Sequence, residues 1–475
     1  MMVMKRFLKI FSLTILSISV VITVFLVFLS IESTSYNSID KTFGEKLTKV
    51  AVQNARIFDP ETGILSNEKT VFINHGYISK ISESDSEISN KYRIIDAKNK
   101  VLMHGLADMH THIFDRAELI QYLSYGVTHV RNMMGFPTHL TWRSEVENNQ
   151  LSGSRLITAG PTLNGTQNTS PLHHNMESSK EAYEIVGKIK NEGYDFIKVY
   201  DGLSQEQIEA ISTSATENSI TFSGHPIKGV SNQFILNSGY TTLEHVEELF
   251  QSMLDYELDS LRAQELVKEL KEADIPVTIT LSAYNHLYRT ALEKEAFLET
   301  LPTEQISPFL RYLGARSLEG WINPTQSGYD WTMKKYAFME YLVHLLDEEG
   351  VPILLGTDTG PNLTVPGWSV LEEIALMQDL GISNLKIIQS GTTEAVDILN
   401  HRSFTGTIKE GAMANILFLD QNPLEDMETL SLPNGLILEG VYYDQPTLLE
   451  MREYANTHFA PFLISVGQFI NYIFN

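Results

Sequence analysis

Strand-like apolar runs recur along this chain, and several of them end in a side chain that can bind a metal. The first is VLMHGLADMHTHIFD, which carries His110 and His112; the later ones are DFIKVYDG, ITFSGHPIKG, YTTLEHVEE and VPILLGTDTG. Side chains two residues apart on a strand point to the same face, so the two histidines project into one space. A divalent metal can bind between their ring nitrogens.

Each later run reaches one further candidate ligand where the strand pattern gives way to turn residues. These residues are Lys198, His225, His245 and Asp358. The stretch from His112 to Asp358 is about as long as a (β/α)8 barrel, which takes roughly 250 residues. Active sites of that fold lie at the carboxyl ends of its strands. We therefore expect an α/β protein with a TIM-like barrel and the ligands grouped at one end.

Lys198 is an unusual member of such a set, because a protonated amine has no lone pair to give to a metal. A buried lysine that loses its proton can react with carbon dioxide to form a carbamate. That anion has two oxygens and can bridge two metals. The lysine is therefore compatible with a metal site if it is carboxylated.

The remaining barrel strands are predicted from shorter runs. GVTHVRNM indicates the second strand, RLITAG the third and IPVTITL the seventh. Helical patterns with charged outer faces, such as SKEAYEIVGKIKNEG and SLRAQELVKELKEAD, separate the strands. After the seventh strand a long, aromatic-rich insertion runs from Ser282 to Tyr329, and it is the candidate for a lid over the site.

The chain resembles the metal-dependent amidohydrolase superfamily, in particular its binuclear branch related to prolidase and imidazolonepropionase. The resemblance covers about residues 48–445 and rests on ADMHTH, FIKVYDG, SGHPIKGV, TTLEHVEEL, LLGTDTG and GTIKEGAMANILFLDQNPLED. All six ligand positions of the family carry the expected residue types. The chain has His104-Gly105 where the family usually has Pro-Gly, and Arg131-Asn132 where Arg-Asp is usual. Neither pair contains a metal ligand, so these departures concern loop geometry and substrate choice.

The resemblance implies two divalent metal ions. His110 and His112 would bind the first metal, carboxylated Lys198 would bridge both, and His225 and His245 would bind the second. Zinc is the default metal for these ligand types, with manganese and iron as alternatives.

The resemblance also implies a reaction. Asp358 would complete the first metal site and move protons, which makes Asp358 and Lys198 the catalytic candidates. A hydroxide shared by the metals would attack a carbonyl of a small-molecule substrate. The expected enzyme is an amidohydrolase that cleaves the C–N bond of an amide, a cyclic amide or a dipeptide. Lactones, esters and phosphotriesters are alternatives on the same ligands, as is a catalytically inactive, membrane-tethered binding protein.

Four further side chains are candidates for substrate binding. Tyr200 follows Lys198 by two residues on the same face, and His173 and His174 lie in a loop after the third strand. Adjacent residues point in opposite directions, so one of these two histidines should face solvent. Arg131 is either a clamp for a substrate carboxylate or a member of a salt bridge.

The flanks of the barrel complete the predicted domain order. Residues 1–31 form a transmembrane signal anchor and 32–47 a linker; 48–103 and 402–445 supply the two parts of a small β-sandwich; 104–401 form the barrel; and 446–475 form an apolar tail. For the tail, packing on the body, contact with a second copy in a homo-oligomer and contact with a membrane are all open.

Composition limits the possible partners. The net charge of −24 argues against nucleic acid, because the protein would repel the phosphates. The chain has no cysteine, so it has neither a disulfide nor a thiol nucleophile.

The amino terminus predicts a membrane anchor. Lys5, Arg6 and Lys9 precede Ile10 to Ile31, a run of 22 residues without a charge. A run of about 20 residues crosses a hydrocarbon core of roughly 30 Å. No small-residue cleavage site follows, so a signal anchor is favoured over a cleaved signal peptide. The basic flank should stay in the cytoplasm, which places the catalytic domain outside it as part of a single-pass membrane protein.

Protease added to intact spheroplasts should therefore digest the catalytic domain. A variant that lacks residues 1–31 should leave the membrane fraction. Protection of the full chain in intact spheroplasts, with digestion only after detergent is added, would contradict this topology.

Overall fold

The computed structural model describes residues 14, 16–25, 27, 39, 41–84 and 86–474. Residues 16–25 are helical and exposed. Across the described residues, no helix is both long and apolar enough to cross a membrane. The rest of the predicted anchor Ile10–Ile31 and much of the predicted linker lie outside the described residues, so the anchor stays a prediction.

Nineteen strands are formed by the described residues. They are β1 (Glu45–Lys46), β2 (Lys49–Phe58), β3 (Leu65–Asn74), β4 (Tyr77–Glu83), β5 (Arg93–Asp96), β6 (Val101–His104), β7 (Leu106–Thr111), β8 (Val127–Asn132), β9 (Arg155–Thr158), β10 (Leu163–Asn164), β11 (His174–Asn175), β12 (Phe196–Val199), β13 (Thr221–Gly224), β14 (Leu243–Glu244), β15 (Val277–Thr278), β16 (Ile353–Leu354), β17 (Asn415–Leu419), β18 (Gly435–Leu438) and β19 (Val441–Asp444).

Helices connect most of these strands from β7 onward. They are α1 (Arg116–Ser124), α2 (Pro137–Glu147), α3 (Ser179–Glu192), α4 (Gln205–Glu217), α5 (Asn232–Asn237), α6 (Val246–Glu248), α7 (Ser260–Ala273), α8 (Leu281–Glu293), α9 (Glu295–Leu298), α10 (Pro308–Ile322), α11 (Gln326–Glu349), α12 (Trp368–Asp379), α13 (Asn384–Ser390), α14 (Val396–Leu399), α15 (Gln445–Thr457) and α16 (Phe462–Phe474). A π-helical turn (Leu249–Met253) and three 3₁₀ turns (Thr303–Gln305, Thr393–Ala395, Met427–Leu430) complete the set.

Eight parallel strands form a barrel. They are β7, β8, β9, β12, β13, β14, β15 and β16, each paired with the next in parallel except at two joints. Single parallel bridges close these joints: Ala159 pairs with Phe196, and Thr111 pairs with Thr359. The predicted TIM-like α/β fold is confirmed, and each of the eight predicted strands is present.

Local sequence determines where the barrel helices begin and end. The hydroxyl of Ser178 accepts a hydrogen bond from the Glu181 N–H at the start of α3, and Gly193 ends that helix in a left-handed conformation. Helix α7 starts after Asp259, whose carboxylate accepts hydrogen bonds from backbone N–H groups of the first turn, and it ends at Asp274. Both helices match the predicted patterns.

Strands from both flanks of the barrel join in a separate sheet. Its order is β1-β19-β18-β17-β6-β2-β3-β4, and β5 pairs with β2. Strand β6 pairs with β2 from the amino-terminal flank and with β17 from the carboxyl-terminal flank. The two flanks therefore contribute strands to one continuous nine-stranded sheet, and its folding into a sandwich stays a prediction. Since β7 follows β6 after one residue, this sheet is attached directly to the first barrel strand.

The predicted lid is an ordered helical insertion. Helices α8 to α11 follow β15, and Phe297 and Leu310 form a small core with Leu363 of the loop after β16. Tyr284 of α8 places its ring 6.0 Å from the ring of His245. The insertion therefore borders the site, and its movement as a lid stays a prediction.

The carboxyl-terminal tail packs on the body. The Ala460 N–H donates to Asp115 at 2.7 Å, and Arg452 of α15 stacks 3.5 Å above the ring of Tyr125. The Phe309 ring of α10 lies 5.3 Å from that of Phe469 in α16. Of the alternatives for this segment, packing on the body is thus present.

Candidate metal centre

Six side chains of the predicted ligand set lie at the carboxyl ends of barrel strands. They are His110 in β7, His112 directly after it, Lys198 in β12, His225 directly after β13, His245 directly after β14, and Asp358 in the turn after β16. In a parallel barrel the carboxyl ends of all strands lie on one face, so residues far apart in sequence meet there.

The imidazoles and the carboxylate form one cluster. The ring of His245 lies 4.4 Å from that of His110 and 4.8 Å from that of His225. Nε2 of His112 lies 3.0 Å from Oδ1 of Asp358. The fold has therefore brought the ends of β7, β13, β14 and β16 into contact range.

The side chains fit a metal. His110, His245 and Asp358 each offer a ligand atom, and these atoms lie within 4.8 Å of one another. Among the described residues, Nε2 of His110, Nδ1 of His225 and Nζ of Lys198 are buried without a hydrogen-bond partner. An unsatisfied buried polar atom typically costs about 1–3 kcal/mol, so three of them in one cluster indicate a site built for a ligand.

Burial sets the protonation states of the cluster. It lowers the pKa of His110, His225 and His245 well below the usual range, which keeps the rings in the neutral, metal-binding form. Burial also lowers the pKa of Lys198 to about 8, although the carboxylates of Glu244 and Asp358 act to raise it. Part of the Lys198 population is then a neutral amine near neutral pH.

Two of the candidate ligands have an unusual backbone conformation. His245 has φ = 67° and Asp358 has φ = 51°, so both adopt left-handed backbone conformations. Such conformations are uncommon outside glycine and cluster at functional sites, where surrounding contacts maintain them. The barrel thus holds two of the six ligands in strained positions.

A buried acid that was not predicted supports the first ligand. Oε2 of Glu244 lies 2.7 Å from Nδ1 of His110, which leaves Nε2 of that ring directed to the cluster. Oε1 of Glu244 accepts hydrogen bonds from Arg131 and Thr242. Burial acts to raise the pKa of Glu244, but Arg131 and then Lys198 lower it overall, so the acid stays ionised. Glu244 lies within an apolar, strand-like run, and a buried acid requires a partner. This position was the sequence signal that could have identified it.

Arg131 belongs to this support. Only 1% of its surface is exposed, and its Nη2 donates to Thr242 at 2.9 Å as well as to Glu244. Its guanidinium lies 5.2 Å from the ring centre of Phe196. The salt bridge is the alternative that the structure contains, because the guanidinium is already bound and is not open to a substrate carboxylate.

The other substrate-binding candidates divide between the mouth and the surface. Tyr200 places its ring 4.0 Å from that of His225 and 4.6 Å from that of His173. Burial lowers the pKa of His173 to about 4. His174 instead places Nε2 3.2 Å from Glu181 on α3. Tyr200 and His173 therefore border the site, and His174 lies on the side of the helix.

Charged pairs line the rim. Nζ of Lys228 lies 2.5 Å from Oδ2 of Asp201, and Lys335 of α11 pairs with Glu247. Each lysine at this rim thus has a carboxylate beside it.

The two departures from the family pattern have structural roles. Nδ1 of His104 lies 2.8 Å from the carbonyl oxygen of Gly105, away from the cluster. The side chain of Asn132 accepts a hydrogen bond from the Ile113 N–H at 3.0 Å and donates to the Met134 carbonyl at 2.8 Å. Asn132 therefore ties the loop after β7 to the loop after β8.

Comparisons with known proteins agree with this geometry. The sequence profile of the amidohydrolase family matches residues 333–441. A 5'-deoxyadenosine deaminase from Methanosphaera stadtmanae is 23% identical over 401 residues, which cover 78% of this chain and 86% of that protein. Ochratoxinase from Aspergillus niger is 33% identical over 88 residues, 18% of each chain.

Solved structures share the fold. Bottromycin amidohydrolase superposes with a TM-score of 0.71 at 20% identity, covering 87% of this chain and 91% of that one. A candidate prolidase from Bifidobacterium longum superposes with a TM-score of 0.67 at 21% identity, covering 86% and 100%.

The barrel places a candidate metal centre at the carboxyl ends of its strands. The family match over residues 333–441 supports the resemblance to the metal-dependent amidohydrolase superfamily. The prediction that it is a hydrolase acting on carbon–nitrogen bonds is confirmed.

The Glu244→Gln variant should bind metal 10- to 100-fold more weakly, because the amide cannot fix the His110 ring and pair with Arg131 as the carboxylate does. Zinc titration of the purified protein measures this. Glu439→Gln is the matched control, since Glu439 also pairs with an arginine, Arg155, but far from the ligands. Equal metal affinity in the two variants would contradict a supporting role for Glu244.

Proposed function

We propose that the chain uses two divalent cations, zinc by default, to hydrolyse the C–N bond of an amide, a cyclic amide or a dipeptide. The observation that carries the proposal is a set of three buried atoms in one cluster that have no hydrogen-bond partner among the described residues, on His110, Lys198 and His225. Apolar packing would not leave such atoms unpaired, whereas a metal pair would bind all three.

The contacts support a division of the ligands between two cations. Oδ1 of Asp358 lies 3.0 Å from Nε2 of His112 and 3.4 Å from Nε2 of His110, so these three residues would hold the first cation. His225 and His245 lie side by side and would hold the second. When bound, the two cations lower the pKa of a water between them and polarise the substrate carbonyl.

Carboxylated Lys198 would bridge the two cations. Its neutral amine can attack the carbon of carbon dioxide, form an N–C bond and release one proton, which leaves a carbamate with two oxygens. The lowered pKa of Lys198, about 8, supports this step because it makes the neutral amine available. Charge also favours it, since the carbamate removes a buried cation from among three imidazoles.

Asp358 would move the proton. Burial acts to raise its pKa, but the hydrogen bond from His112 and the charges of nearby groups lower it overall, so the carboxylate is ionised and can accept a proton. An oxygen of Asp358 would take the proton of the attacking water and pass it to the leaving nitrogen. Tyr200 and His173 border the same space and would orient the substrate.

The ligand set does not choose among related substrates. Lactones, esters and phosphotriesters can be attacked in the same way. Deamination of a nucleoside is also a hydrolysis at a C–N bond, and the similarity to a 5'-deoxyadenosine deaminase over 78% of the chain makes it a second candidate. The intact ligand set argues against an inactive binding protein.

Metal analysis of the purified chain, combined with a substrate screen, tests the proposal. Two metals per chain and turnover of a dipeptide, a cyclic amide or 5'-deoxyadenosine would support it. Metal-free protein that stays unable to bind zinc, or turnover confined to esters and lactones, would contradict it.

The Lys198→Ala variant should lose metal and activity together, because it lacks the group that would bridge the cations. Short carboxylic acids, which can occupy the place of the carbamate, should restore part of both. Metal content and turnover with and without added acetate are the measurements. Lys188→Ala, on an exposed face of α3, is the control and should behave as the wild type. Two metals and full activity in Lys198→Ala would show that this residue is not the bridge.

The Asp358→Asn variant should keep most of its metal and lose turnover by about 10²- to 10⁴-fold, the usual contribution of general acid–base catalysis. Five other ligand groups still hold the cations, whereas the amide cannot accept the proton. Steady-state kinetics on metal-loaded protein measure the loss. Asp347→Asn, which removes a surface ion pair with Lys386, should not change turnover. Near-normal turnover in a fully loaded Asp358→Asn variant would assign the proton to another group.

A further inference from the structure

Thr280, at the start of α8, does not act as the helix cap that its position predicts. It has φ = 50° and ψ = 40°, a left-handed conformation that is a genuine outlier for a β-branched residue. Threonine at this position usually accepts a hydrogen bond from the first turn of its own helix. Here its side chain makes no such bond, and Oγ1 lies 2.7 Å from Nδ1 of His245.

A second residue caps the helix in its place. Oε1 of Glu373 accepts a hydrogen bond from the Leu281 N–H at 2.7 Å, and Oε2 accepts one from the Ser282 N–H at 2.6 Å. Glu373 belongs to α12 and is completely buried. Both carboxylate oxygens thus satisfy the N–H groups at the amino terminus of another helix, where a negative charge is favoured.

The backbones around this contact are joined as well. The His245 N–H donates to the Thr278 carbonyl at 2.8 Å, and the Val246 N–H donates to the Ile279 carbonyl at 3.2 Å. These bonds fix the Cα position of His245 but leave its ring free to rotate. The hydroxyl of Thr280 is therefore the contact that sets the direction of the ring.

We propose that Glu373 is a positioning residue for the metal centre: by capping α8 it frees the Thr280 hydroxyl to hold His245. The Nδ1–H of His245 then donates to Thr280 Oγ1, and Nε2 keeps its lone pair for a cation. The inference rests on the proposed function, since it concerns how tightly His245 binds a metal.

The arrangement parallels the support of another candidate ligand, His110. His110 receives its carboxylate directly, from Glu244, whereas His245 receives a hydroxyl whose availability depends on a carboxylate one step further away. Glu373 also connects two parts of the site, because α12 follows the turn that carries Asp358.

Stepwise zinc titration of the full chain tests the inference, with a competing chelator that resolves the two bound ions. Thr280→Val removes the hydroxyl at constant shape and should weaken one of the two ions 10- to 100-fold while the other stays unchanged. Thr280→Ser keeps the hydroxyl and should bind both ions nearly as the wild type does. Glu373→Gln places an amide NH₂ against a backbone N–H and should weaken the same ion as Thr280→Val.

The double variant separates positioning from stability. If Glu373 acts through Thr280, Thr280→Val with Glu373→Gln should weaken that ion no more than the worse single change. Glu372→Gln is the matched control. Glu372 lies one residue before Glu373 on α12, and its carboxylate contacts His286. It should leave both zinc affinities unchanged.

Three results would overturn the inference. They are multiplicative losses in the double variant, equal weakening of both ions, and a Glu373→Gln variant that melts earlier but binds both ions normally. If Glu373→Gln does not fold, unchanged zinc affinities in Thr280→Val would be sufficient to reject the inference. Wild-type protein that binds no metal pair would contradict the proposed function itself, whereas two tight ions in the wild type and in every variant would contradict only this inference.

Discussion

Closure of eight parallel strands into a ring is the constraint on which the rest of the molecule depends. The ring brings polar residues from β7, β12, β13, β14 and β16 into one small, buried space. Burying each of these polar groups costs free energy unless the group has a hydrogen-bond or ion-pair partner. The partners, the strained backbones and the shifted pKa values around the cluster all follow from that requirement.

The histidines of the cluster differ in how they are held. His110 is bound by a carboxylate and His245 by a hydroxyl, whereas Nδ1 of His225 has no hydrogen-bond partner in the part of the chain that the structure describes. These supports orient the rings before any cation arrives. A preorganised site loses less free energy on binding, because the side chains are already ordered.

The flanking sheet and the insertion serve the barrel from opposite ends. The sheet joins the two flanks through β6, which leads directly into the strand that carries His110. The helical insertion lies at the other end and brings Tyr284 to the edge of the cluster. The sheet therefore supports β7 at its amino-terminal end, and the insertion borders the cluster at the carboxyl ends of the strands.

Sequence alone determined the fold class, the eight strands and the six ligand types, because period-two patterns and turn residues are local signals that survive without tertiary information. It also indicated that only one of His173 and His174 could point inward, which follows from strand geometry. Tertiary structure decided the supporting residues. The roles of Glu244, Thr280 and Glu373 depend on contacts between residues up to 134 positions apart in the chain.

Tertiary contacts also decided the role of Arg131 and the arrangement of the flanking strands. The sequence left two roles open for Arg131, a clamp for a substrate carboxylate and a salt bridge. The position of Glu244 on another strand decides for the salt bridge. Likewise, alternation predicted strands on both flanks but not that β6 would pair with both sets and merge them into one sheet. Local patterns specify which way a side chain or a strand faces; what it meets there is set by the packing of the whole chain, since hydrogen bonds and ion pairs depend on distances that sequence separation does not encode.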